Sequence, residues 1–130
     1  MKKNILIDID GTVSEDIPNE ESHRFADAKM IDNAVEYVNK LYDDGNTVTF
    51  FTARQEKHRA VTTEWLDKHG FKYNGLIMDK PRGGNYIWID NLQVNGVLYN
   101  NNWNRVCSNL MNNKDKIEKQ LNNTSTINYN

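Results

Sequence analysis

The sequence predicts an α/β fold of three layers, with a parallel sheet covered by helices on both faces. Three observations carry that expectation. Apolar runs of strand type alternate with stretches of helical period along the chain. The first run, from Asn4 to Ile9, is nearly continuous in apolar character, as in a strand buried within a parallel sheet. Chemically capable side chains then recur at the ends of the runs: Asp8 and Asp10, Thr52, Lys80 and Asp90.

The elements follow in order. Ser14 to Lys29 is polar and acidic, carries Pro18, and reads as a loop. From Met30, apolar residues Ile31, Ala34, Val35, Val38, Leu41 and Tyr42 fall on one helical face, and Gly45 suits the position just past the helix end. "NTVTFFTAR" is β-branched and aromatic and predicts a second strand ending near Thr52. A second helix carries His58, Val61, Trp65 and His69 on one stripe and stops at Gly70, so its histidines read as packing or rim residues rather than ligands. "YNGLIMDK" predicts a third, weaker strand and "NYIWID" a fourth, with the turn "PRGG" between them. The Asn-Gly of "LQVNGVLYNNN" fits a small hairpin. Trp103 to Leu121 closes the chain as a helix. One domain over residues 1–122 and a loose polar tail over 123–130 complete the expected organisation.

Composition narrows the classes. The chain has 130 residues, 38% of them hydrophobic and 26% charged, which suits a soluble globular domain. A net charge of −2 offers no global basic field to recruit nucleic acid or anionic membrane. Its single cysteine excludes an intrachain disulfide and a cysteine metal cluster, and suits a reducing cytoplasm. The three histidines show no metal-ligand spacing, and no apolar run approaches a membrane span or signal segment. A cytoplasmic protein without a membrane partner is expected.

A parallel sheet with right-handed crossovers binds ligands at the carboxyl ends of its strands. The capable residues stand at those ends, and together they form a set for phosphoryl transfer. Two carboxylates one residue apart, Asp8 and Asp10, point to the same side of an extended chain and repel each other. Such an arrangement makes sense when a cation sits between them, or when one acid is a nucleophile and the other a proton carrier. Asp8 is the expected nucleophile and Asp10 the acid/base. Hard oxygen donors without histidine or cysteine favour Mg²⁺, held by Asp8, Asp90 and a backbone carbonyl at Asp10. Thr52 and the N–H groups after it are placed to bind non-bridging oxygens, and Lys80 offsets the negative charge. Arg54, Lys57, Arg59 and Arg82 are candidates for the rim of the site.

The segments "DIDGTV", "FFTAR", "DKP" and "YIWIDN" resemble, in order, the four motifs of the haloacid dehalogenase-like (HAD) phosphatases. The resemblance runs from about Asn4 to Asn91 and implies a Rossmann-like fold with an aspartyl-phosphate mechanism. By that resemblance Asp8 corresponds to the nucleophile, Asp10 to the acid/base, and Thr52 to the second-motif hydroxyl. Lys80 corresponds to the third-motif lysine and Asp90 to the metal-binding acid. "TAR", "TTEWLDKHG" and "KPRGGNYIWIDN" are most similar to small phosphatases of capsule and surface-polysaccharide biosynthesis. The fourth motif usually supplies two acids, where this chain has Asp90 followed by Asn91, and weaker Mg²⁺ binding is expected.

HAD enzymes often carry a cap domain after the first motif or between the second and third. The first gap here offers a polar loop of about sixteen residues and the second a helix and a strand. An autonomous domain needs about 40 residues, so a capless, open site is expected. The reading is a Mg²⁺-dependent phosphomonoesterase acting on a small phosphate ester such as a sugar phosphate, with a homo-oligomer compatible. The alternatives are a nucleotide or nucleic-acid 3′-end phosphatase and a non-catalytic HAD-like binding module. A receiver domain places its phosphorylated aspartate mid-chain, after the third strand, whereas Asp8 and Asp10 follow the first strand.

Overall fold

The computed structural model describes residues 2–108 and 110, in two compact units, Met1–Arg82 and Gly83–Asn130. The first unit is α/β. Strands β1 (Asn4–Ile7), β2 (Thr47–Phe51) and β3 (Gly75–Ile77) form a parallel sheet in that order. Helices α1 (Ala34–Asp43) and α2 (Arg59–Lys68) lie in the two crossovers.

Ile7, Phe50 and Leu76 are in register across the three strands, so their side chains share a face. On that face Ile7, Val48 and Phe50 are buried. α1 packs against β2. The Phe50 ring meets Phe71 and Tyr73 edge-on, and Phe71 stacks on Trp65 of α2. The opposite face carries Leu6 and Ile77, which are 43% and 47% exposed. Each of α1 and α2 ends where a glycine takes the left-handed conformation expected past a helix end: φ is +94° at Gly45 and +81° at Gly70. His58 packs on Phe25 and His69 on Trp65, as packing residues should.

Helix α1 starts at Ala34 rather than at Met30, because Asn33 is left-handed (φ 66°) and no helix propagates through it. The expected loop from Ser14 to Lys29 is partly helical: Asn19–Asp27 forms 3-10 turns kinked at Glu21. Its polar sequence conceals an apolar spine, with Ile17, Phe25 and Ala28 all buried. The Trp65 indole N–H donates to the Ala28 carbonyl at 2.9 Å and ties this segment to α2.

In the second unit, the expected fourth strand does not form. Residues 85–90 form no strand, and Ile87 and Ile89 are 86% and 92% exposed. Local bonding offers this backbone an alternative to a ladder. The Asp90 carboxylate accepts the Leu92 N–H at 3.0 Å and the Trp88 indole N–H at 3.1 Å. The expected Asn95-Gly96 hairpin is absent as well; two short strands alone are marginal in water. Residues 103–108 are helical, with Trp103 and Val106 buried and Trp103 against Tyr99. The remainder of the expected helix to Leu121, apart from Leu110, and the expected tail over 123–130 lie outside the described residues. No helix among the described residues is long and apolar enough to cross a membrane.

Candidate active site

β1 delivers Asp8 directly, as the residue after Ile7. Ile9 is fully buried, and the chain then turns sharply: the N–H groups of Thr12, Val13 and Ser14 all point to the Ile9 carbonyl, at 3.0, 2.9 and 3.1 Å. Gly11 closes the turn with its own N–H on Ser14 O at 2.8 Å and a φ of +82°. A side chain there is strained, which explains a glycine directly after the second aspartate. The same turn brings in Asp16, whose Cβ lies 3.6 Å from where a Gly11 Cβ would stand.

Asp8 therefore sits in a crowded acidic corner. Burial pushes its carboxyl above the usual carboxylate range, and the Asp10 and Asp16 carboxylates push the same way. Lys80 opposes them, with its Nζ 3.9 Å from Asp8 Oδ1, and so does the Ile9 N–H. The Lys80 ammonium lies 5.5 Å from the centre of the Phe51 ring. Its approach depends on Asp79, which is left-handed at φ 61° and donates its N–H to Arg54 O, while Lys80 N–H bonds Thr52 O at 2.9 Å. The ends of β2 and β3 are thereby fastened together under Lys80.

Asp10 is held differently. Arg54 grips it with two parallel hydrogen bonds, Nε to Oδ2 at 2.9 Å and Nη2 to Oδ1 at 2.8 Å. Here the expectation for Arg54 is corrected. It is not at the rim: its side chain has no exposed surface, because the apolar interior between α2 and the 3-10 segment closes over it. Its Nη1 donates to the Thr62 hydroxyl at 3.0 Å, and its guanidinium lies 3.9 Å above the Phe25 ring. Neither Thr62 nor Phe25 stood out in the sequence. The available signals were an arginine directly behind the apolar "FFTA" and a lone aromatic within an acidic stretch.

Thr52 is fully buried, and its hydroxyl accepts the Arg54 backbone N–H at 3.2 Å, so it braces the turn after β2. Asn19 donates to Ala53 O at 3.0 Å and fastens the 3-10 segment to that same turn. Lys57 is exposed. Arg59 is chelated by Glu56 at 2.8 and 3.1 Å, and Arg82 lies 3.6 Å from Glu20. The structure thus brings together Asp8, Asp10, Thr52 and Lys80 within the first unit. Asp90 belongs to the second unit, where the Trp88 and Leu92 N–H groups hold its carboxyl below the usual range.

The donor chemistry fits a hard cation in part. Asp8 offers an oxygen donor amid surplus negative charge, which a divalent ion would relieve. Arg54 occupies one lone-pair site on each carboxylate oxygen of Asp10, and the Asp10 backbone carbonyl is a further oxygen donor. No three Asp, Glu, His or Cys side chains among the described residues converge as a metal-holding group.

The fold has relatives among solved structures. A crystal structure of a structural-genomics target from Vibrio cholerae is 23% identical, with a TM-score of 0.51, over 69% of this chain and 80% of that one. A chain of the Pnkp1/Rnl/Hen1 complex is 22% identical, with a TM-score of 0.54, over 60% of this chain and 28% of that one. At these identities the likeness bears on the fold. No curated protein matches the chain. A family model described as "PITM 1-3, LNS2 domain" matches residues 5–88, a span that holds Asp8, Asp10, Thr52 and Lys80 and well over half the chain. The chain belongs to the LNS2-domain family and has its HAD-like phosphatase fold.

Proposed function

We propose that the protein is a Mg²⁺-dependent phosphomonoesterase that forms a phosphoaspartate on Asp8, with a small phosphorylated metabolite such as a sugar phosphate as substrate. The observation that carries this reading is the pairing of Asp8 with Lys80 at 3.9 Å beside a second, separately anchored carboxylate. A carboxylate raised by burial yet faced by an ammonium is a nucleophile whose charge is poorly solvated and ready for an electrophilic phosphorus.

In the proposed reaction an Asp8 oxygen attacks phosphorus in line, the ester P–O bond breaks, and Asp10 gives a proton to the leaving oxygen. Asp10, then a carboxylate, takes a proton from the water that cleaves the acyl phosphate and releases inorganic phosphate. Lys80 balances charge on the transferring group, and the Thr52 hydroxyl braces the turn after β2 that faces it. Asp8 and the Asp10 carbonyl would hold Mg²⁺, which would neutralise the phosphate charge, and Asp90 is proposed as a metal ligand by its match to the fourth motif.

Two features support a small substrate and an open, capless site. The crossovers hold only α1, α2 and 3-10 turns, too little chain for a cap domain. Two arginines offered for the rim, Arg59 and Arg82, are matched with acids, Glu56 and Glu20, and so present less basic surface to a polyanion. The test is Mg²⁺-dependent release of phosphate from a panel of phosphorylated metabolites, with mass spectrometry of quenched protein for a phosphate adduct on Asp8. A chain that binds phosphate esters without turning any over is a binding module, and the proposal falls.

A further inference from the structure

We propose that Arg54 is a positioning residue for Asp10: a guanidinium locked by Thr62 and Phe25 that aims the carboxylate at the leaving oxygen. This rests on the phosphatase reading, since it gives Asp10 the proton-transfer step.

Arg54 is fully enclosed, so it cannot contact substrate; whatever it does for the reaction passes through Asp10. It uses the side of the guanidinium that carries Nε and Nη2, the fork that matches a carboxylate in two parallel bonds. Lysine has a single ammonium and cannot reproduce that geometry. The guanidinium is itself immobilised from two directions. Thr62 of α2 takes Nη1 at 3.0 Å, and the Phe25 ring covers its face at 3.9 Å.

Each carboxylate oxygen has two lone-pair sites, and Arg54 occupies one on each. Asp10 keeps 15% of its side-chain surface exposed, whereas Arg54 keeps none. The proton is therefore exchanged at a lone-pair site that the clamp leaves open, in a direction set by the guanidinium. As a stability device alone the pair is a poor choice, because well-packed apolar residues serve about as well as a buried ion pair. Its value lies in orientation, where a misplacement of about 1 Å costs about 10²-fold in rate.

The test compares kcat/KM for two esters in the full-length chain. An alkyl phosphate leaves as an alkoxide and needs the proton from Asp10, whereas p-nitrophenyl phosphate leaves as a stable phenolate and needs it far less. kcat/KM covers the steps through phosphorylation of Asp8, so later hydrolysis does not mask the difference. Thr62→Val, which removes one anchor of the guanidinium, is expected to lower the alkyl-to-nitrophenyl ratio by about tenfold or more. Asp10→Asn should change the ratio in the same direction, and Thr62→Ser should restore it. Phe25→Leu supplies the same test should Thr62→Val not fold. Equal losses for both esters, or an unchanged ratio, overturn the positioning role while leaving the phosphatase reading intact. A wild-type chain that hydrolyses neither ester overturns that reading and the role of Arg54 with it.

Discussion

Lys80 Nζ stands 3.9 Å from Asp8 Oδ1, although the two residues come from the ends of different strands, β3 and β1. The pairing sets the acid side of the activity profile. Burial raises the Asp8 pKa, and Lys80 is the largest influence that lowers it. Attack requires the carboxylate, so activity should fall as pH drops through that raised value. Lys80→Met removes the opposing charge and should move the acidic limb of kcat/KM to higher pH, with a lower plateau. A limb that stays in place or moves to lower pH contradicts this account.

Removing the nucleophile should stabilise the protein. The folded-state pKa of Asp8 lies above the unfolded value, so its contribution is most favourable at low pH, with the acid protonated in both states. That contribution is lost as pH rises through the folded pKa. Asp8→Asn, which mimics the protonated acid, should abolish turnover and raise Tm at pH 7. Because 39% of the side chain is exposed, solvent screens much of the effect. A small rise in Tm is expected, and it should vanish once the pH falls below the ordinary carboxylate range, where both states are protonated. Thermal melts of the two proteins across pH check both the sign and the window.

Arg54→Gln should cost far more stability than loss of any surface pair. It leaves the Asp10 carboxylate facing an interior built for a cation, and breaking a buried pair costs about 3–5 kcal/mol. Lys40→Ala, which removes an exposed partner of Asp44 on α1, should leave the denaturation midpoint unchanged within error. Urea titration of the two variants makes the comparison. Similar midpoints would show that burial of Arg54 is energetically unimportant.

Periodicity explains why so much of the first unit was legible. β1, β2, α1 and α2 each bury a regular stripe: Val48 and Phe50 alternate in β2, and Val38 follows Ala34 by one helical turn in α1. Glycines at 45 and 70 mark both helix ends. What was not legible depends on tertiary context. No local pattern shows that Phe25, in an acidic stretch, covers the guanidinium of Arg54, or that Thr62 anchors it. A charge beside an apolar strand reads as surface until the partner that neutralises it is known. The alternation in "NYIWID" is genuine strand character, but a strand needs a neighbour, and Asp90 bonds the local N–H groups instead.

Metal dependence should centre on Asp90 and Asn91. The Trp88 indole and the Leu92 N–H keep the Asp90 carboxyl ionised well into the acid range and restrain its orientation. Activity should disappear with EDTA and return with Mg²⁺ or Mn²⁺. Ca²⁺ should inhibit, because it takes more ligands at longer distances. Asp90→Asn should raise the Mg²⁺ concentration for half-maximal rate, and Asn91→Asp should lower it by supplying a second acid. Steady-state titrations with Mg²⁺ decide the matter; equal requirements in all three proteins would remove both residues from the metal site.

Salt dependence should distinguish a small substrate from a nucleic-acid end. A ligand with one phosphate releases few counterions, so kcat/KM for a sugar phosphate should change little between 50 and about 200 mM salt. An oligonucleotide 3′-phosphate that engaged three further phosphates would give a log–log slope of about −2. The site offers little for such an extended contact. Arg59 is chelated by Glu56, Arg82 faces Glu20, and Arg24 is shared between Glu15 and Glu21 on the 3-10 segment and its approach. Each of these arginines is thus already matched, and a polyanion would have to displace a carboxylate to reach it. Glu20→Gln should accordingly leave sugar-phosphate turnover nearly unchanged while improving any oligonucleotide activity by freeing Arg82. Strong preference for an oligonucleotide end with a steep salt slope in the unaltered chain would reverse the substrate assignment, and the roles of Asp8 and Asp10 would stand.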